Sequence, residues 1–234
     1  MLLALETATD VCSVALFDDD RLLGLGEVLR PRQHAALLAP LIRDVLAQAD
    51  ATTDDLTAVA VSAGPGSYTG LRIGASTAKG LAWATGAALV AVPSLEALAV
   101  GAHDLLVEGD LLVTAFRSRR GEVYAAAFRR DEDDLTPAAD AAALPLEALP
   151  DWLPAADGTV WIAGEAGALV ADALPGESRV LDPRRFRPSA EHVGRLGLER
   201  LAAGEAVDVA AFEPDYLKDF VAERGKPIFE RLPK

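Results

Sequence analysis

The chain has 234 residues, 51% of them hydrophobic, and a formal net charge of −14. That length suffices for one large domain or two small ones with a buried core. The acidity opposes long-range attraction to nucleic acid, no stretch is long and charge-free enough to span a bilayer, and a lone Cys12 excludes an internal disulfide framework.

In chain order, Met1-Leu2-Leu3-Ala4-Leu5 meets Glu6 at once with no basic stretch before it, which reads as a buried strand rather than a signal peptide. Leu2 to Leu5, Val11 to Phe17 and Leu22 to Leu29 read as three strands, with Asp18-Asp19-Asp20 as a hairpin turn. His34 to Ala49 carries a helical apolar stripe, with Pro40 kinking the helix or marking a start close to it. Ala58 to Val61 is the next strand, Leu71 to Thr85 a helix and Ala87 to Val92 a strand, and Ser94 is read as the cap of a helix running to about Gly101.

A second block follows a dilution of the apolar pattern near residues 103–110. Leu111 to Ala115 and Glu122 to Phe128 read as strands joined by an arginine-rich turn. Pro137 to Pro154 reads as poorly ordered or as short helical pieces. Val160 to Ala163 and Arg179 to Leu181 read as strands, Ala166 to Ala173 and Ala190 to Ala203 as helices. The expected division is 1–105 and 106–234. Arginines cluster at Arg117, Arg119, Arg120, Arg129 and Arg130, and again at Arg179, Arg184, Arg185 and Arg187. With neighbours such as Asp131-Glu132-Asp133-Asp134, both clusters read as solvated faces.

The run Ser62-Ala63-Gly64-Pro65-Gly66-Ser67-Tyr68-Thr69-Gly70-Leu71-Arg72-Ile73-Gly74 carries the most chemistry. A strand, a glycine loop and a helix start in that order can cradle a phosphate or simply turn the chain. The Walker ending Gly-Lys-Ser/Thr is missing, and Lys79 lies too far into the helix to replace its lysine. Gly64, Gly66, Ser67, Thr69 and Arg72 are the candidate phosphate- or partner-facing group. Arg72 falls in the first helical turn, where the dipole disfavours a cation unless an acid or phosphate answers it. Beyond the loop, Gly70, Gly74, Ala78 and Ala82 recur four apart on one face, with Leu71, Ile73, Leu81 and the stripe Leu37-Leu41-Val45 available to supply burial. From spacing alone, packing on the protein's own sheet is the plainer use of that stripe.

Together these stretches resemble the TsaB family, the bacterial partner subunits in synthesis of the threonylcarbamoyladenosine modification of tRNA. The match lies in Leu3-Ala4-Leu5-Glu6-Thr7-Ala8-Thr9 with Cys12 to Leu16, in His34 with Leu38 to Ile42, in the glycine run, and in Arg119-Arg120-Gly121-Glu122-Val123-Tyr124. Weaker matches are Val92 to Leu98 and Glu213-Pro214-Asp215-Tyr216-Leu217. The resemblance implies an α/β, actin-like fold of the sugar-kinase and heat-shock ATPase type, with two related domains and a C-terminal segment packed back on the first. It implies a non-catalytic cytoplasmic subunit whose first-domain helices dock a TsaD-like catalytic subunit. A TsaE-like ATPase and tRNA would be met only through that complex, and the chain alone would form a homodimer through the same face. Leu37, Leu41, Val45, Gly70, Leu71, Gly74, Ala78 and Ala82 are the expected interface. One departure stands out: the fourth stretch usually opens Asp-Ala-Arg, and here it reads Arg117-Ser118-Arg119.

Catalytic alternatives find little support. The resembling subunit TsaD carries a His-x-x-x-His metal pair on its first-domain helix; here His34 is followed four residues on by Leu38, and His103 and His192 lack ligand-spaced neighbours. No metal and no cofactor are expected. An actin-like ATPase or small-molecule kinase remains the alternative, but Glu6, Thr7 and Thr9 have no glycine between them, and Ala163-Gly164-Glu165-Ala166-Gly167 reads as a plain turn. No Gly-x-Ser-x-Gly elbow supports a hydrolase.

Overall fold

Alternation along the strands sorts the hydrophobic residues into four layers, and those layers set the architecture. The computed structural model describes residues 1–118, 121–132 and 134–217. Arg119, Arg120 and Asp133, on which parts of the arginine, acidic and motif readings fell, lie outside the described residues.

The first half runs β1 (Leu2–Glu6), β2 (Cys12–Asp18), β3 (Arg21–Val28), α1 (His34–Gln48), β4 (Ala58–Gly64), α2 (Tyr68–Thr85), β5 (Ala88–Pro93) and α3 (Ser94–Val100). Its sheet has the order β3-β2-β1-β4-β5, with β1, β2 and β3 antiparallel and β1, β4 and β5 parallel. The second half runs β6 (Leu111–Arg117), β7 (Glu122–Asp131), β8 (Asp134–Pro145), α4 (Leu149–Trp152), β9 (Val160–Ala163), α5 (Gly167–Ala173), β10 (Ser178–Val180) and α6 (Ala190–Ala202). Its sheet repeats the plan as β8-β7-β6-β9-β10, with the same pattern of antiparallel and parallel pairs. This duplicated unit of a three-strand meander followed by two parallel crossovers is the actin-like organisation.

Central strands β1 and β4 are buried along their whole length, as their near-continuous apolar sequences require, whereas edge strand β3 is half-exposed. On the first sheet, Leu3, Leu5, Val14 and Leu16 face α1 and α2. Leu2, Ala4, Ala15 and Phe17 on the opposite face pack against Ala190, Val193 and Leu196 of α6. On the second sheet, Leu112 and Phe116 meet Leu95 and Leu98 of α3, while Leu111 and Val113 meet Leu149 and Val170. The helix that ends each half therefore covers the other half's sheet. Gly194 lies against the Phe17 ring and Gly197 against Ala60, so α6 approaches the first sheet closely. An ion pair from Arg200 to Glu96 (2.8 Å) joins the two exchanged helices.

Beyond α6 the chain returns across the first half. Val207 N–H donates to Leu89 O on β5 (2.8 Å), Lys79 Nζ of α2 donates to the carbonyls of Ala210 (3.0 Å) and Phe212 (2.9 Å), and Asp215 N–H donates to Ala63 O (2.7 Å).

Three expectations are corrected. The first part of Pro137–Pro154 belongs to edge strand β8, where Pro137 and Pro145 are tolerated because an edge needs fewer ladder donors; short helical turns follow only from Leu146. Ser94 does not cap its own helix: its Oγ accepts from Gly64 N–H (3.1 Å), tying α3 to the glycine loop. Helix α2 begins at Tyr68 rather than Leu71, capped by Ser67, whose Oγ accepts from Gly70 N–H (3.3 Å). Pro40 is accommodated inside α1.

Candidate functional site

The glycine run leaves β4, turns over the ends of β1 and β4, and enters α2. Each of its glycines is approached closely by other parts of this chain, three of them by backbone. A Cβ at Gly64, which has φ +116°, would overlap Asp215 O; one at Gly66 would overlap Ala8 O; one at Gly70 would overlap Thr7 O. Gly74 faces Thr7 Oγ1 in the same way. Ser67 N–H donates to Ala8 O (2.6 Å). The Thr7–Ala8 turn and the returning Asp215 thus pack directly on the glycines of the loop. Gly64 and Gly66, read as facing a phosphate or a partner, lie against Asp215 and Ala8 of the same chain.

Ser67, Thr69 and Arg72 do remain exposed. The Arg72 guanidinium lies 5.4 Å from the centroid of the Tyr68 ring and Nη1 donates to Tyr68 Oη (3.1 Å), while Tyr68 and Tyr216 meet with ring centroids 5.0 Å apart. No carboxylate pairs with Arg72 among the described residues; the aromatic face answers its charge instead.

The small-residue stripe points inward. Gly70, Leu71, Gly74, Ala78 and Ala82 are all buried, Ala78 and Ala82 in the same cluster as Leu3 and Leu5. Val45 is buried too, over Gly24 and Gly26 of β3. These six cannot line an outer surface, because the sheet takes the face that four-residue spacing creates. Leu37 and Leu41 are half-buried and reach the outside of α1. Ile73 and Leu81, expected to supply burial beside the stripe, are half-buried on α2, whereas Trp83, which the spacing did not single out, is 78% exposed. A tryptophan set off the apolar stripe was the signal available in the sequence.

The remaining reactive groups are sealed. Cys12 is buried at the start of β2 and burial pushes its thiol up to about 11, which leaves it a poor nucleophile. His34 begins α1 and is buried there, with its Nε2 3.0 Å from Val11 O. No cluster of three or more metal-ligating side chains occurs among the described residues. His192 wedges against Gly101 at the junction of α3 and α6, and burial holds its pKa below the ordinary histidine value.

A duplicated actin-like α/β fold, with a glycine loop packed on the chain's own backbone, defines the class of protein. Comparisons place it further. The family model described as "TsaD: tRNA N6-adenosine threonylcarbamoyltransferase" matches residues 29–157, more than half of the chain. The tRNA threonylcarbamoyladenosine biosynthesis protein TsaB of Escherichia coli is 33% identical over 97% of this chain and 98% of its own length. TsaB of Bacillus subtilis is 29% identical over 95% and 96%. A Pseudomonas aeruginosa crystal structure described as similar to peptidase YeaZ superposes with a TM-score of 0.83 at 33% identity, covering 93% of this chain and 99% of that one. The chain belongs to the TsaB family.

Proposed function

We propose that this protein serves tRNA threonylcarbamoyladenosine synthesis as a chemically silent subunit that docks a TsaD-like catalytic partner. The observation that carries the reading is the pairing of a self-filled glycine loop with an apolar outer strip on α1 and α2. The loop's glycines lie against the backbone of Thr7, Ala8 and Asp215, and the outer sides of the two helices carry Leu37, Leu41, Ile73, Leu81 and the exposed Trp83. An exposed tryptophan is the kind of side chain that dominates binding at interface centres. Both helices rest on a fully buried sheet face, so the strip is presented on a rigid support. The names of the relatives supply the pathway. A second copy of the chain would use the same strip when the catalytic partner is absent.

The test is co-elution with the TsaD-type subunit of the same organism, followed by light scattering. A heterodimer is expected at micromolar concentration, and Trp83→Glu with Leu41→Lys should weaken it at least tenfold with an unchanged circular dichroism spectrum. Undiminished binding by that folded double variant would remove the strip from the interface. ATP turnover by the pure chain would overturn the silent-subunit reading.

A further inference from the structure

On its α6 side, the first sheet ends in a row of polar side chains. Cross-strand register sets Glu27 of β3 beside Ser13 of β2, and Ser13 beside Glu6 of β1; the parallel register of Leu5 with Val61 brings Ser62 of β4 next to Glu6. The chain that leaves the second sheet closes over this row. Ala190 N–H, at the first residue of α6, donates to Ser13 Oγ (3.0 Å), and Arg187 Nη2 donates to Glu27 Oε2 (2.6 Å). Ser13 donates in turn to Glu27 Oε1 (3.2 Å), and Ser62 Oγ accepts from Thr7 N–H (3.2 Å).

Glu6 is the member left incomplete. Its residue is 0% exposed, Oε1 accepts from Ala8 N–H (2.5 Å), and Oε2 is sealed from solvent without a hydrogen-bond partner. A protonated carboxyl can stay in such a place, whereas a carboxylate with an empty oxygen is costly to bury. Ionisation would also set a second negative charge on a row whose nearby cation, Arg187, is already committed to Glu27.

We propose that Glu6 is a proton-operated latch between the two halves: neutral, it lies under the start of α6; ionised, it drives that start off the first sheet and admits water to the row. Burial pushes its carboxyl up to about 7, outweighing the opposing pull of the Ala8 amide and then of Ser62, with the Glu27 charge as the smallest contribution, on the raising side. The other ionisable groups packed around this end of the seam do not mimic the effect. Arg187 is paired with Glu27, and Glu191 with Arg195 (2.8 Å). Cys12, on the opposite face, keeps its proton because its thiol is pushed up to about 11. His192, whose pKa is lowered by burial, costs stability only as pH falls below the ordinary histidine range. Glu6 has the opposite sign: for an acid raised in the folded state, stability is full below the unfolded value and is lost as pH rises toward about 7.

The experiment uses the full chain. Carboxyl carbon NMR of the wild type should show Glu6 titrating near neutral pH; a midpoint in the ordinary glutamate range overturns the latch, whatever any variant does. Hydrogen exchange at Ala190 and Val193, corrected for intrinsic rates, should lose about tenfold protection between pH 6 and pH 8 in the wild type, and none of that loss should remain in Glu6→Gln. An equal loss in both proteins, or no loss in the wild type, would sink the proposal.

Discussion

At the scale of single residues, glycine carries two distinct jobs in one helix. Gly70 is pressed on Thr7 O, so an added methyl must push backbone against backbone. Gly80 sits in the same helix, where an added methyl would meet nothing within 4 Å and its surface is open to solvent. Opposite outcomes are therefore expected from one substitution: Gly70→Ala should destabilise by about 1–3 kcal/mol through overpacking, while Gly80→Ala should stabilise by up to ~1 kcal/mol through helix propensity. Urea unfolding of both variants checks this. A neutral Gly70→Ala would mean that the Thr7–Ala8 turn yields, and with it the claim that the loop is closed from within.

Among the elements, α2 joins most of the molecule's features. Its inner face seals the sheet, its first turn is capped by the loop, its outer face carries Trp83, and Lys79 holds the returning chain through two carbonyls. Lys79→Met keeps the aliphatic stem and removes the donors. The expected result is at least a several-fold rise in hydrogen exchange at Val207 and Asp215 with little change in global stability, because opening there is local. Unchanged exchange would show that Val207 and Asp215 hold the segment without Lys79. The exchanged helices α3 and α6 act at the same scale: each closes the other half's core, so a cut at any single point between residues 94 and 190 leaves one sheet bare on one face.

For the whole molecule, the net charge of −14 opposes the meeting of two identical copies. Screening removes much of that repulsion beyond about 10 Å at 0.1 M salt. If the apolar strip joins two copies, self-association should tighten several-fold when sodium chloride rises from 20 to 300 mM, as read by sedimentation velocity. Weaker association at high salt would point instead to an interface held by ion pairs.

Much of this was legible in the chain itself. The strand and helix order, the hairpin at Asp18–Asp20 and the family motifs rest on local pattern: alternation of two, a stripe of 3.6, and turn residues whose effects act within a few positions. The side of α2 that faces inward was a different kind of question. Small residues four apart make a helix face that another surface can approach, but the same spacing suits the protein's own sheet and a foreign helix. Only the three-dimensional path of Thr7, Ala8 and Asp215, residues far from the loop in sequence, showed that Gly64, Gly66 and Gly70 were already filled. Long-range packing also turned Ser94 from a cap into a partner of Gly64, and brought Ala190 onto Ser13 across 177 positions. Sequence by itself determined most of the elements and the family, because local sterics and hydrophobic period are written residue by residue; the tertiary structure decided that the proline-bearing stretch is edge strand β8 and which faces are free, because pairing and burial depend on neighbours that the linear chain does not place.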